Sequence, residues 1–266
     1  MTQTDRPVAL VTGASAGIGL AFAELLADRG HDVVLVARRR DRLAEAAKAI
    51  EARGARAHVI CADLADPASS GRVAREALAR CSRVDVLVNN AGYGLATKFV
   101  ETPWEQHRAF LEVLLVSVTE LTHRLLPSML ARRSGRVIQI ASVAAYAPES
   151  AGSLYSPTKR FMVSFTRALA LELKGSGVTT TAVCPGFTYS EFHDVMGNRA
   201  AMNRLPAWMW KDAASVARIG LDAADRGRTI VVPGAVNQAI AALCAVVPFS
   251  LVQRFGPKKL LDRHER

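Results

Sequence analysis

The feature that most constrains the fold is a repeated alternation of short apolar segments with longer amphipathic ones. The short segments are rich in β-branched residues and show no alternation of hydrophobic and polar positions. That pattern is typical of strands buried on both faces of a parallel sheet. The predicted strands are Val8–Val11, Val33–Val36, His58–Cys61, Val86–Val88, Arg136–Ile140, Val178–Val183 and Thr229–Val232.

Between these strands lie segments with helical spacing of apolar residues. The predicted helices are Ile18–Arg29, Asp41–Arg53, Ser69–Cys81, Trp104–Arg132, Tyr155–Lys174 and Ala213–Asp225. Strand–helix alternation repeated this often predicts a doubly wound, Rossmann-type α/β sheet with helices on both faces. No internal repeat or linker interrupts the pattern, so we expect residues 1–266 to form a single domain.

Composition and charge exclude several classes of protein. The formal net charge is +10, but the basic residues are scattered, which favours a solvated basic surface over a nucleic-acid site. The four cysteines are far apart, without CxxC pairs or ligand-spaced histidines, so neither a metal site nor a disulfide framework is expected. The N-terminus has no signal-peptide pattern, and we expect a cytoplasmic protein.

A glycine-rich turn follows the first predicted strand and leads directly into a helix. Its sequence from Thr12 to Gly19 is Thr-Gly-Ala-Ser-Ala-Gly-Ile-Gly. Such a turn lets backbone N–H groups and the positive helix N-terminus approach a pyrophosphate. The strand before it and the helix after it are the context that this motif requires. The turn therefore predicts a dinucleotide site; its candidate cofactor-binding residues are Gly13, Ser15, Gly17, Ile18 and Gly19.

The Thr-Gly-x-x-x-Gly-x-Gly spacing resembles the short-chain dehydrogenase/reductase family, and the resemblance extends from Val8 to about Ser190. It includes the Asn-Asn-Ala-Gly motif that ends at Gly92. The resemblance implies that Asp63 accepts a hydrogen bond from the adenine amino group and that the motif lines the adenine-ribose side. The cofactor residues implied in these two regions are Asp63, Leu64, Asn90, Ala91 and Gly92.

Cofactor preference is set at the end of the second strand. An acidic side chain there would bind the ribose 2′-hydroxyl of NAD, whereas arginine accommodates the 2′-phosphate of NADP. The acidic position is occupied by Ala37 and is followed by Arg38 and Arg39. A guanidinium group matches phosphate oxygens bidentately, and Arg38 is the residue that we expect to do so. The sequence thus predicts NADPH in preference to NADH.

The candidate catalytic residues are Ser142, Tyr155 and Lys159. Tyr155 and Lys159 are four residues apart, so they share a helical face, provided that the helix begins at Tyr155 and holds Pro157 in its first turn. A cation beside the phenol is expected to lower the pKa of Tyr155, and Ser142 can hold the substrate oxygen. These residues resemble the family's Ser–Tyr–Lys set, and Tyr155 and Lys159 are also expected to contact the cofactor.

One position departs from the family pattern. The family usually has a catalytic asparagine in the long helix after Asn-Asn-Ala-Gly, where it supports a water-linked proton path to the lysine. Alignment on Leu121–Pro127 places Leu114 there, and no asparagine occurs between Asn90 and Asn198. Three explanations remain open: water reaches Lys159 from a backbone carbonyl alone, the enzyme is slow, or the chain binds cofactor without turnover. The retained Ser–Tyr–Lys set favours the first two.

The segment after the sixth strand resembles the family's Pro-Gly segment, which seats the nicotinamide. Its candidate cofactor residues are Pro185, Gly186, Thr188 and Ser190. Residues 191–211 fall where such enzymes carry a substrate lid; an ordinary helical excursion with core-facing aromatics is the equal alternative. If the segment is a lid, its apolar residues predict a hydrophobic substrate; they are Phe192, Met196, Trp208, Met209 and Trp210.

The C-terminal tail, residues 235–266, is apolar in its first part and basic in its second. Pro248 interrupts the apolar run, so a membrane span is not expected. Packing over the substrate pocket or across a subunit interface is favoured, and peripheral contact with an anionic membrane is a less favoured alternative.

Taken with the resemblance, the sequence predicts an NADP(H)-dependent oxidoreductase that interconverts a ketone or aldehyde and its alcohol. Family resemblance further implies a homodimer or homotetramer that acts on a small-molecule substrate. No motif beyond the net charge suggests a nucleic-acid partner, and none is expected. Two alternatives stay open. One is a 3-oxoacyl carrier-protein reductase, and the other is a cofactor-binding regulatory protein without turnover. The identity of the substrate does not follow from the fold.

Overall fold

A computed structural model describes residues 6–95, 97–147, 154–189, 191 and 206–245. Seven parallel strands form one sheet in the order β3-β2-β1-β4-β5-β6-β7. The strands are β1 Val8–Thr12, β2 Asp32–Ala37, β3 Ala57–Cys61, β4 Val86–Asn89, β5 Gly135–Ile140, β6 Val178–Val183 and β7 Ile230–Val231. The doubly wound parallel sheet predicted from the apolar pattern is confirmed, and every predicted strand is present.

Helices cover both faces of this sheet. They are α1 Gly17–Asp28, α2 Arg40–Glu51, α3 Ser69–Cys81, α4 Trp104–Leu111, α5 Ser117–Ala131, α6 Tyr155–Glu172, α7 Ala213–Asp225 and α8 Ala235–Ala245. The predicted helix Trp104–Arg132 is interrupted by a π-helical turn, Glu112–Val116, in which the Ser117 N–H bonds the Glu112 carbonyl. Helix α6 begins at Tyr155 as predicted, with Leu154 as its N-cap, so Pro157 lies in the first turn.

Two apolar clusters hold the layers together, one on each face of the sheet. Phe110, Leu121 and Met162, from α4, α5 and α6, are buried on one face. Phe22 and Val216, from α1 and α7, are buried on the other. Because every strand contributes side chains to both faces, the sheet is covered on both sides, which explains why the strand sequences lack alternation.

The sheet positions the site through its strand order. The chain reverses direction across the sheet between β1 and β4, and at such a switch point a crevice opens beyond the carboxyl ends of the strands. The turns after β1, β2, β4, β5 and β6 all reach this edge. Within the described ranges, no helix is long and apolar enough to cross a membrane.

Candidate active site

A cleft of about 780 Å³ runs along the carboxyl edge of the sheet. It is lined by residues from the glycine-rich turn, from the ends of β2, β3, β4, β5 and β6, and from α6. Of the sequence-predicted site residues, the cleft lining includes Gly13, Ser15, Gly17, Ile18, Arg38, Asp63, Leu64, Asn90, Ala91, Gly92, Ser142, Tyr155, Lys159, Pro185, Gly186 and Thr188. Gly19 lies just behind the turn, and Ser190 lies outside the described residues.

Hydrogen bonds between β1 and β4 shape the glycine-rich turn. The Thr12 hydroxyl accepts the N–H groups of Asn90 and Ala91 at 2.9 and 3.0 Å. The Asn90 amide donates to the carbonyls of Thr12 and Gly13 at 2.9 and 3.3 Å. A Cβ added at Gly19 would meet the Gly13 carbonyl oxygen and the Asn90 amide, so the turn can pack this closely only with glycine at position 19.

The geometry of this turn fits a pyrophosphate. Gly13 and Gly17 have positive φ values of 66° and 56°, and α1 begins at Gly17. The N-cap residue Ala16 makes no side-chain cap hydrogen bond. The first N–H groups of α1 are therefore left for a ligand. They form the positive end of the helix dipole, which attracts an anion.

At the end of β2, two arginines line the cleft with different neighbours. Burial raises the pKa of Tyr93; the charge of Arg38 opposes that rise, and the charge of Asp63 adds to it. The Arg39 guanidinium donates to the Ser15 hydroxyl at 3.2 Å and pairs with Glu191 at 2.7 Å. The sequence analysis named Arg39 beside Arg38 but expected only Arg38 to bind the phosphate, and it gave Glu191 no role in the cofactor site.

Ser142, Tyr155 and Lys159 come together at the other end of the cleft. Ser142 follows β5 and is the N-cap of a short 3₁₀ turn, Val143–Ala145; its hydroxyl accepts from the Ala144 N–H at 3.1 Å. The Tyr155 hydroxyl is hydrogen-bonded to Ser142. The Lys159 ammonium lies 5.5 Å from the centroid of the Tyr155 ring and donates to the Ile140 carbonyl at 2.7 Å.

Burial dominates the titration of this group. It raises the pKa of Tyr155 to about 12, and the hydrogen bond with Ser142 opposes that rise. It also lowers the pKa of Lys159 to about 8, against the opposing effect of Cys184. The expectation that a neighbouring cation would bring the Tyr155 pKa below its ordinary value is wrong for the chain itself, because desolvation penalises the phenolate more. At neutral pH the site therefore holds a neutral phenol, which can donate a proton.

Leu114 lies in the π-helical turn and is fully buried. Its Cγ and the Lys159 Nζ lie 3.7 and 3.8 Å from the position that a Cβ on Gly92 would take. An alkyl group thus stands near the lysine where the family resemblance implies an amide. Single π turns inside α-helices occur frequently at functional sites, and the break in the predicted long helix falls at this position.

The Pro-Gly segment after β6 packs against α8. A Cβ on Gly186 would meet the side chain of Asn237, which is buried and donates to the Pro233 carbonyl at 2.9 Å. Thr188 is also buried, and its hydroxyl donates to the Gly186 carbonyl at 3.1 Å. Asn237 was missed by the sequence analysis, since it lies about fifty residues beyond the segment that it supports.

The proposed lid is described only at its ends, Glu191 and residues 206–211. Trp210 is buried and stacks on Tyr189 with ring centroids 4.8 Å apart, as a core-facing aromatic would. Trp208 is exposed. Two of the residues named for an apolar lid, Phe192 and Met196, lie outside the described residues. In the tail, Ala235–Ala245 forms α8, and residues 246–266 lie outside the described residues.

The described residues contain no cluster of three or more His, Cys, Asp and Glu that could hold a metal ion, and all four cysteines are free thiols. The cleft fits a nicotinamide dinucleotide. It has a glycine-rich turn at a helix N-terminus for the pyrophosphate, basic groups beyond β2, and a Ser–Tyr–Lys group at the other end.

Comparison with known sequences finds a family model and a similar reductase. A family model described as short chain dehydrogenase matches residues 7–200. A putative ketoacyl reductase of the monensin polyketide synthase from Streptomyces virginiae is 40% identical over 192 residues, which cover 70% of this chain and 72% of that protein.

Two solved structures illustrate the range of cofactors among similar proteins. A short-chain dehydrogenase from Sphingobium yanoikuyae in complex with NADPH has a TM-score of 0.79 and 31% identity, covering 91% of this chain and 96% of that one. A short-chain dehydrogenase/reductase from Burkholderia phymatum in complex with NAD has a TM-score of 0.80 and 25% identity, covering 91% and 94%.

Proposed function

Because the chain belongs to the short-chain dehydrogenase/reductase family, we propose that it is an NADPH-preferring reductase that converts a hydrophobic ketone or aldehyde to its alcohol. The observation that carries this proposal is the placement of Ser142, Tyr155 and Lys159 in the same cleft as the glycine-rich turn. A proton donor, a cation and an oxygen-holding hydroxyl therefore meet at the end of the cleft away from the pyrophosphate turn.

The chain's own residues account for the proton side of the reaction. A bound nicotinamide supplies the hydride. The Ser142 hydroxyl is placed to hold the carbonyl oxygen of the substrate. The Tyr155 hydroxyl, which is hydrogen-bonded to Ser142, donates the proton that the carbonyl oxygen gains. Lys159 then stabilises the phenolate that remains. A Tyr155 pKa of about 12 keeps the phenol protonated at neutral pH, which is the form that reduction requires.

The preference for NADPH is supported by the arginines after β2. No carboxylate stands at Ala37, where it would bind a ribose 2′-hydroxyl, and Arg38 and Arg39 both line the cleft. Their guanidinium groups match the charge and the donor geometry of a 2′-phosphate.

A hydrophobic substrate is supported by the apolar part of the cleft lining, to which Val113, Ala147 and Phe187 contribute. Apolar walls with a few convergent polar groups are typical of sites for small organic ligands.

The second candidate is a 3-oxoacyl carrier-protein reductase. It is favoured by the similarity to a ketoacyl reductase of a polyketide synthase. An acyl thioester would use the same Ser–Tyr–Lys chemistry at its 3-oxo group.

We further propose a cytoplasmic homodimer or homotetramer folded as one domain. Free thiols fit a reducing compartment, and light scattering during size-exclusion chromatography would give the oligomeric state.

The test is oxidation of NADPH and NADH by the purified protein over aliphatic, aromatic, steroid and acyl-thioester carbonyls. Turnover with NADPH that is lost in Tyr155→Phe supports the proposal. Tyr146→Phe is the matched control, since Tyr146 is a half-buried tyrosine that does not line the cleft. Preference for acyl thioesters would favour the second candidate. Tight NADPH binding without turnover of any carbonyl would contradict both and favour the regulatory alternative.

A further inference from the structure

The ion pair between Arg39 and Glu191 spans the cleft. Arg39 follows β2, whereas Glu191 follows the Pro-Gly segment after β6, and the two charged groups are 2.7 Å apart. The same Arg39 nitrogen lies 3.2 Å from the Ser15 hydroxyl in the glycine-rich turn. All three residues line the cleft. A single guanidinium group therefore joins three walls of the cofactor site.

This pair stands where the proposed cofactor carries its extra charge. Arg39 is the N-cap residue of α2, has no side-chain cap hydrogen bond, and so lies at the positive end of that helix. The Arg39 and Glu191 side chains are 50% and 42% exposed, so a dissolved anion can reach them. With the Ser15 hydroxyl beside it, Arg39 has the charge and the donor geometry to bind a phosphate at the end of β2.

Arg39 cannot pair equally strongly with Glu191 and with a 2′-phosphate at the same time. Glu191 already accepts from the guanidinium, and a phosphate dianion arriving there would lie close to that carboxylate and be repelled by it. NADH carries no 2′-phosphate and would not enter this competition. The cost of displacing Glu191 therefore falls on one of the two cofactors only.

We propose that Glu191 is a specificity-determining residue that competes with the 2′-phosphate of NADPH for Arg39. Glu191 thereby weakens the binding of NADPH and leaves the binding of NADH unchanged. This inference rests on the proposed nicotinamide site, but it concerns the balance between the two cofactors and does not depend on which carbonyl is reduced.

The experiment measures dissociation constants of the full chain for 2′,5′-ADP, NADPH and NADH by calorimetry at low salt. Exposed ion pairs contribute modestly, so Glu191→Gln should bind 2′,5′-ADP and NADPH about two- to fivefold more tightly, with NADH unchanged. Glu105→Gln makes the same charge change at an exposed residue outside the cleft and should have no effect. In an Arg39→Ala background, the effect of Glu191→Gln should vanish.

Three results would overturn the inference: equal tightening of NADH and NADPH, a Glu191→Gln effect that persists without Arg39, or failure of both the wild type and Glu191→Gln to bind 2′,5′-ADP. The proposed function fails separately. Absence of carbonyl turnover leaves these binding constants measurable. A wild type that prefers NADH, with NADPH binding gained in Glu191→Gln, would refute the proposed preference and support the role of Glu191.

Discussion

The ionisation of Lys159 should set the alkaline limit of carbonyl reduction. In the proposed reaction its ammonium stabilises the phenolate that Tyr155 becomes on donating a proton, so the lysine must be charged. Burial lowers the pKa of Lys159 to about 8 and raises that of Tyr155 to about 12. The phenol therefore stays protonated over the pH range in which the lysine loses its charge. With a pKa of about 8, about nine-tenths of Lys159 is charged at pH 7 and about one-tenth at pH 9, so kcat should fall about tenfold between them.

The assay is the pH dependence of kcat for NADPH-driven reduction between pH 6 and 10, at saturating substrates and constant ionic strength. Lys159→Arg serves as the diagnostic variant, because a guanidinium group keeps its charge throughout this range. We expect its kcat to be lower, since the fork of arginine does not fit the contact with Ile140, but the decline near pH 8 should disappear. A wild-type profile that is flat to pH 10, or an unchanged decline in Lys159→Arg, would refute the assignment.

Three further predictions follow from the same residues. The pKa of Lys159 is lower in the folded chain than its ordinary 10.5, so the unfolded chain binds more protons between pH 8 and 10.5. The free energy of unfolding should therefore rise by up to about 3 kcal/mol as the pH increases across that window. Urea titrations of Lys159→Met should lack this rise. Leu114→Asn should cost about 2–4 kcal/mol of stability, since it buries an amide in an apolar site, and should move the decline of kcat to higher pH; an unmoved decline would contradict the reasoning. Gly19→Ala should weaken NADPH binding by at least about tenfold, as a Cβ meets the Gly13 carbonyl, and calorimetry on folded protein showing an unchanged constant would contradict it.

Much of the fold was predictable because its signals are local. The strand patterns of Val178–Val183 and the helix pattern of Ser69–Cys81 match the structure at both ends. The start of α6 near Tyr155 followed from Pro157, which must lie in the first turn if Tyr155 and Lys159 share a helical face. The π turn at Glu112–Val116 was not predictable in this way, since its sequence continues an apolar helical pattern and only tertiary packing reveals the extra residue.

The candidate site was also predictable where its signals are local and unpredictable where they depend on contacts between distant residues. Its glycines and the Ser–Tyr–Lys group follow from spacing within motifs, and the structure brings them to one cleft. Contacts between distant parts of the chain could not be predicted from the sequence, as with Arg39 and Glu191, which are 152 positions apart. The direction of the Tyr155 pKa was also missed, because it depends on how much water packing removes from the phenol.

Burial lowers the pKa of Lys159, and an apolar residue at position 114 is compatible with that effect. A buried ammonium is stabilised by polar partners, and here its described hydrogen bonds go to the Ile140 carbonyl and, more weakly, to the Met162 sulfur. Leu114 offers no such partner near Nζ, so desolvation of the charge is only partly compensated. A lysine of this kind remains charged at neutral pH and loses its proton slightly above it. In the proposed function, such a lysine permits reduction at neutral pH and restricts it in alkali, as expected of a working enzyme rather than of a chain that only binds cofactor.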